Sequence, residues 1–392
     1  MRSEVQVNAE GNDQASAEVP LMIKVILEKH GLVRALCGAL LIAALSSSAT
    51  AQHALRVEPG RVISAQPVMS VTRLLVSRGK DIEVRDPVTL ALLGTIPAST
   101  WGYGNASGVA MRDGYAYIGF YDGGKIVRYD LVTGTQGPVW NITSPRELVF
   151  AGPNLYVYSD LIGVQSFDVN TGAVRVIEAY TSAPTLRFLS GNSLGRLYAV
   201  MLQNDIAVQI NTASTGYNLV FGSPTWPIYQ VGRVVASPDG SRVYASSGQG
   251  QVLRFDAQTG QNLTPLGPNG QHIPALCLPV GLAVSPDNTT LYIADAGCQQ
   301  NNGFTNTNIV IVEVKTMYEK APRVTVPIQH RVAHLSVDPG SGLVYGTTVA
   351  GIYVLNPSSG ALVTVDEPSW CIYNCYVVGS LAVGPVPLRR VL

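Results

Sequence analysis

Residues 233–265 read RVVASPDGSRVYASSGQGQVLRFDAQTGQNLTP, and this stretch limits the fold more than any other. Apolar runs at 234–236, 243–245 and 252–255, with a last one around Leu263, are divided by three turns: Ser237-Pro238-Asp239-Gly240, Gly248-Gln249-Gly250 and Asp256-Ala257-Gln258-Thr259-Gly260. Each run is too short for a helix, is rich in β-branched and aromatic residues, and is bounded by Gly, Pro, Asp and Ser, so each predicts a strand. Three tight turns in succession predict a four-stranded antiparallel meander.

The same unit recurs along the chain. Its last turn returns as Asp130-Leu131-Val132-Thr133-Gly134 and Asp168-Val169-Asn170-Thr171-Gly172, with weaker copies beginning at Asp86, Asn211, Glu313 and Asn356. An Asp or Asn here can accept from backbone N–H groups ahead of it, while Gly takes the positive φ that closes the hairpin. The first turn returns as Ser285-Pro286-Asp287, with relatives at Arg112-Asp113-Gly114 and Asp338-Pro339-Gly340. A spacing of roughly 40–45 residues is that of a propeller blade. Seven markers predict an all-β, seven-bladed β-propeller of four-stranded antiparallel blades. The first copy has strands only at 74–76, 82–85 and 90–96, whereas 380–385 (SLAVGP) matches 281–286 (GLAVSP), the innermost strand of the sixth blade. The C-terminal strand is therefore expected to complete blade one and close the ring, which leaves no inner edge open.

These repeats resemble the secreted YVTN-type (NHL-like) β-propellers, whose pattern is P-D-G, then h-Y-V-A, then D-x-x-T-G. The resemblance spans most of residues 74–385 and is strongest in blades five and six. It implies architecture first, because such relatives include binding proteins, lactonases, lyases and the large subunit of amine dehydrogenases. It also implies that ligands bind at the channel mouth, where each innermost strand begins.

Composition narrows the partners. Lys plus Arg equals Asp plus Glu at 26 each, and charged residues are 13% of the 392, so no net field draws nucleic acid. Gly (39) and Pro (24) suit many strands joined by tight turns. Lys29, His30 and Arg34 precede an apolar run at 35–45 and the small-residue stretch Ser46-Ser47-Ser48-Ala49-Thr50-Ala51, the pattern of a signal peptide cut before Gln52. The run is too short to span a bilayer. Residues 1–51 are thus expected to be a signal with a polar leader, Met22 being a candidate start, and 52–392 the propeller, secreted or periplasmic and not inserted in the membrane after cleavage. Cys277, Cys298, Cys371 and Cys375 remain, an even number allowing three pairings; locality favours 277 with 298 and 371 with 375 as structural disulfides.

No serine-hydrolase elbow, zinc-protease motif, P-loop or dinucleotide fingerprint is present, and no metal or cofactor is implied. Gly102-Tyr103-Gly104-Asn105 precedes no helix and is expected to be a loop. Aligning the innermost strands places Ser107, Glu147, Arg187, Arg233, Gly281, His334 and Ser380 at the first position. Glu147, Arg187, Arg233 and His334 would then converge on one end of the channel. There they could hold an anion between the two arginines, with His334 as acid or base. The competing reading is a structural Glu147–Arg187 ion pair and a solvated histidine. His330 and His334 stand four apart, a metal spacing on a helix but not on a strand. The polar insertion at 298–307 and the aromatic segment 370–376 are candidate contact surfaces. The function expected is a binding or interaction module for a protein or glycan. The alternatives are a lactonase-like hydrolase or a lyase at the channel mouth, or the cofactor-free subunit of a dehydrogenase.

Overall fold

The computed structural model describes residues 56–58, 61–63, 70–79, 81–179, 186–201, 206–222, 231–247, 249–264, 276–297, 299–300, 303–304, 308–326, 332–348, 351–366 and 381–388. The chain divides into two compact units, Met1–Val68 and Met69–Leu392. In the first, Arg56–Glu58 pairs antiparallel with Arg61–Ile63.

The second unit is a seven-bladed β-propeller. Among the described residues six of its sheets have four strands and the fifth has three. Each blade is a meander in sequence order except the first, where Leu381–Pro387 pairs with Ser70–Arg78, which continues to Asp81–Arg85 and Leu92–Ile96. The C-terminal strand therefore supplies the missing inner strand of blade one. In blade five the run expected around Leu263 lies against the third strand through the Leu263 N–H to Arg254 O and Asp256 N–H to Gln261 O bonds and an Asn262–Phe255 bridge, without forming a regular strand among the described residues; residues 265–275 lie outside them.

The marker turns form as their chemistry dictates. Asp130 Oδ1 accepts from the N–H groups of Val132 and Thr133 at 2.8 and 2.9 Å, and Asp256 Oδ1 from Gln258 and Thr259, both at 2.9 Å. Asp86, Asp168, Asn211 and Asn356 repeat the arrangement. Gly134, Gly172, Gly260 and Gly360 then sit at φ between 70 and 75°. Leu90 and Met317 take the equivalent place at φ 60 and 63°, and both side chains are buried.

Among the described residues no sheet crosses from one blade to the next, so side-chain packing, with a few hydrogen bonds such as Gly152 N–H to Asn192 O, holds the ring. The second strands of blades two to seven carry Tyr117, Tyr156, Tyr198, Tyr244, Tyr292 and Tyr345 at one register position, opposite Ala110, Val149, Ser190, Val235, Ala283 and Ser336. Each is at most 4% exposed and enters an apolar cluster shared with the following blade. Tyr117, for example, meets Phe150 of blade three edge-to-face at 5.4 Å between centroids. Tyr345 packs with Leu74 and Val76 of blade one, and a seventh cluster joins blades one and two around Leu75 and Ile118. Seven clusters fill seven interfaces, so the core is a ring of wedges around a central axis. Large flat side chains suit those wedges because they bury much area with few rotamers to fix.

One short 3-10 turn, Ala98–Trp101, precedes the 102–105 loop. No helix among the described residues is long and apolar enough to cross a membrane.

Candidate ligand site at the channel mouth

Every innermost strand of blades two to seven begins with a register shift in its pairing to the second strand. Such bulges twist the strand and re-aim the side chains beside them. Counting back two places from the residue opposite the conserved-register tyrosine gives Gly108, Glu147, Phe188, Arg233, Gly281 and His334 in blades two to seven. Glu147, Arg233 and His334 thus hold equivalent places in blades three, five and seven, as the alignment of the sequence predicts.

Two of the aligned positions are corrected. Ser107 lies inside the bulge, buried, with its hydroxyl donating to the Gly119 and Pro145 carbonyls, so it fixes backbone and does not face the channel ring. Gly108 takes its place because a Cβ there would stand 2.8 Å from Leu148 Cδ1 of the adjacent blade. Gly281 is confined similarly, its Cβ position 3.1 Å from Leu335 Cγ. In blade four the two-residue bulge follows Arg187, with Phe188 at φ 57°, so Arg187 is one place early by this count although it stands opposite Val200, the place that Tyr158 and Thr347 hold in blades three and seven. Ser380 lies outside the described residues, as does His330.

Besides the Asp295–Arg323 pair of blade six, two groups of charges at this end involve the aligned residues. In the first, Arg233 stacks its guanidinium over the Phe188 ring at 4.2 Å, and its N–H is fixed by Ser246 Oγ at 2.9 Å. Burial lowers the Arg233 pKa while the negative charge of Glu147 opposes that, which places the two within electrostatic reach. Glu147 Oε2 in turn accepts from the Leu189 N–H of blade four at 2.8 Å. His334, opposite Thr347, is pushed down to about 3 by burial and then by the positive charge of Arg233, so its imidazole is neutral across the physiological range. Arg233 and His334 are surrounded by protein yet keep partial solvent exposure, as residues lining an axial channel do.

The second group is built on Tyr158, which stands opposite Glu147 in the ladder and is 1% exposed. Its hydroxyl pKa is raised, first by burial and then by the Asp160 charge, against the positive charge of Arg187. Asp160 lies in the turn joining the second and third strands, at the same end as the bulges, and its Oδ2 is held by Arg146. Among the described residues no carboxylate pairs with Arg187, so the expected Glu147–Arg187 ion pair is not formed. The reason is geometric: the blade-four bulge turns the Leu189 N–H toward Glu147 and carries Arg187 to Tyr158.

Sequence reasoning missed Tyr158, Asp160 and Phe188. The repeat itself carries the signal for Tyr158: the matching place in blades two and four to seven holds Gly119, Val200, Ser246, Ala294 and Thr347, none of them aromatic. Among the described residues no group of His, Cys, Asp and Glu could hold a metal ion. Cys277 is disulfide-bonded, with its N–H donating to the buried Asp295; Cys298, Cys371 and Cys375 lie outside the described residues. Of the 298–307 insertion, a small hairpin of Gln299–Gln300 with Gly303–Phe304 is described, while the 370–376 segment lies outside.

No known family and no curated protein matches this sequence. Solved structures do resemble the fold. Virginiamycin B lyase from Staphylococcus aureus aligns with TM-score 0.52 at 11% identity over 69% of this chain and 86% of that one. A streptogramin B lyase aligns with TM-score 0.53 at 10% identity over 82% and 97%. A nidogen/laminin complex contributes a chain with TM-score 0.45 at 12% identity, over 80% and 98%. At these identities the likeness shows the β-propeller and nothing about activity.

Proposed function

We propose that this chain is an exported binding module whose propeller seats its ligand at the channel mouth. The ligand is a small molecule or an exposed group of a protein or glycan partner. The observation that carries the reading is the convergence of Glu147, Arg233 and His334 from three different blades, in equivalent register, around one axis. Charge is scarce in this chain, and bringing it together in a partly desolvated channel is costly unless a partner uses it. Membership of the YVTN-type repeats is part of the same proposal, supported by the P-D-G and D-x-x-T-G turns. Export rests on the 35–51 signal pattern, and a Cys277–Cys298 disulfide fits an oxidising compartment.

A second reading, a hydrolase or lyase, draws on the perturbed His334. Binding is preferred for two reasons. No activated nucleophile or metal set accompanies the histidine among the described residues. A base pushed down to about 3 is also poorly matched to proton transfer near neutrality. A neutral imidazole serves better as a fixed hydrogen-bonding group. Affinity capture with residues 52–392 from the host's envelope and medium tests the reading, run beside an E147Q/R233Q/H334A chain. A ligand held by the unaltered chain and lost by the variant is the expected result; equal retention by both removes the channel mouth from the account.

A further inference from the structure

The outermost strand of a blade is a hydrogen-bonding edge, and a protein that is to stay single needs some device there to keep other strands off. Most of the described outer strands carry one. Thr135–Asn141 of blade two contains Pro138, and Val174–Ala179 of blade three contains Arg175 and Glu178. Tyr217–Phe221 of blade four is charge-free itself, but the Glu178 carboxylate lies against it, accepting from the Gly216 N–H and the Tyr217 hydroxyl. Val324–Thr325 of blade six is two residues long, and Leu362–Asp366 of blade seven ends on a carboxylate with Glu367 next. Leu92–Ile96 of blade one differs. It contains no proline, and no charged residue occurs from Pro87 to Met111.

That edge is apolar as well as charge-free. Val88, Leu92 and Leu93 are 57, 54 and 51% exposed, and a bulge leaves Leu93 without a partner on the third strand. Every residue from Ala91 to Thr95 is exposed. Among the described residues the only strand beside it is Asp81–Arg85. Gly94, at its centre, answers no need of the blade itself. Its φ is not positive, so the bulge does not require it, and a Cβ there would meet nothing within 4 Å. Glycine inside a strand weakens it, and one use for it is to let another backbone come close.

We propose that this edge pairs with the same edge of a second copy of the chain, antiparallel about a twofold axis at Gly94. The two Gly94 backbones meet on the axis, and Leu93 and Thr95 of one copy lie across from those of the other. A twofold contact brings the same residues from both sides, so a charge near the axis would meet its own twin at close range. A charge-free edge escapes that repulsion. A foreign partner is selected instead by complementary charge, and this edge offers none to match. The contact uses one edge of each copy and therefore closes at two, giving a dimer and not a fibre. A standard interface engages roughly 20–30 residues a side, so an edge this short gives a weak, concentration-dependent dimer. The pairing is independent of the channel mouth, which is built from other residues.

Sedimentation velocity of residues 52–392, from micromolar to near-millimolar protein, tests the pairing. The expected result is a monomer at the low end that gives way to a dimer at the high end. L93K/T95K sets like charges across the axis on positions that are already exposed, and it should weaken association about ten-fold or more. L93E/T95E should do the same, and an equal mixture of the two variants should dimerise again. Q136K, at an exposed place on the outer strand of blade two, should dimerise as the unaltered chain does. Where a double variant fails to fold, T95K and T95E replace the pair. A chain that stays monomeric throughout overturns the inference and leaves the edge to a strand of another protein. A dimer that both charged variants leave unchanged, that their mixture fails to restore, or that Q136K disrupts equally overturns it as well.

Discussion

A chain ending at residue 380 should lose cooperative folding. The deleted strand Leu381–Pro387 pairs residue by residue with 70–76 and forms the inner edge of blade one. Leu381 and Val386 are 5 and 6% exposed, and burial of two such side chains contributes roughly 3–6 kcal/mol. The lost ladder adds about 1 kcal/mol per hydrogen bond, with several bonds in the pairing. Leu74 and Val76, at 1 and 0% exposed, also lose part of their cover. The loss is on the order of 10 kcal/mol, comparable to the whole stability of an ordinary domain. The cluster joining blade seven to blade one contains Leu381, so the ring opens where it closes. Urea denaturation followed by tryptophan fluorescence should show no sigmoidal transition for the truncated chain at 25 °C, and a synthetic peptide of residues 381–392 should restore part of it. A truncated chain with the midpoint and slope of the full one would refute the reasoning.

Other perturbations separate local strain from packing. M317G relieves a left-handed backbone of roughly 1–2 kcal/mol but removes a buried side chain that contributes about 2–5 kcal/mol, so denaturation should show a net loss. Gly346→Ala places a Cβ where only 2.1 Å separates it from Tyr353 Cζ; it should cost on the order of 1–3 kcal/mol, and Y353L in the same chain should recover part of that. His334 has a folded pKa below its unfolded one, so stability present above about pH 6.5 declines as pH falls toward 3, by at most about 1.4 kcal/mol per pH unit. Stability measured between pH 7 and 5 should therefore fall with this slope in the unaltered chain and flatten in H334Q. Asp86, Asp130 and Asp256 all accept two backbone N–H bonds in their turns, and for Asp86 and Asp256 these lower the pKa, so a further loss below pH 4 should persist in H334Q.

The architecture was legible because it rests on local chemistry repeated seven times. An Asp that accepts two N–H bonds and a residue at positive φ fix a hairpin whatever lies around it, and Asp256 to Gly260 shows the rule in five residues. Even Met317, which breaks the glycine pattern, kept its place because Glu313 still anchors the turn through the Thr316 hydroxyl. Ring closure was legible for the same reason, as the SLAVGP run repeats GLAVSP.

The site was only half legible. Glu147 and His334 fell into register because a one-residue bulge precedes each and leaves the count from the tyrosine intact, and Arg233 keeps the same count inside a bulge of two. Arg187 did not, because in blade four the two-residue bulge follows it, and nothing in Leu186-Arg187-Phe188-Leu189 announces that placement. Which carboxylate meets which guanidinium depends on that placement. It depends as well on a backbone N–H, of Leu189, that side-chain reasoning does not count.

The central claim is that the channel mouth is the ligand seat. The measurement that bears on it most directly is the melting temperature of residues 52–392 in a fractionated host extract, beside that of the E147Q/R233Q/H334A chain. The account predicts at least one fraction that raises the melting temperature of the unaltered chain and leaves the variant where it was. Fractions that stabilise both chains equally, or none that stabilises the unaltered chain, would contradict it.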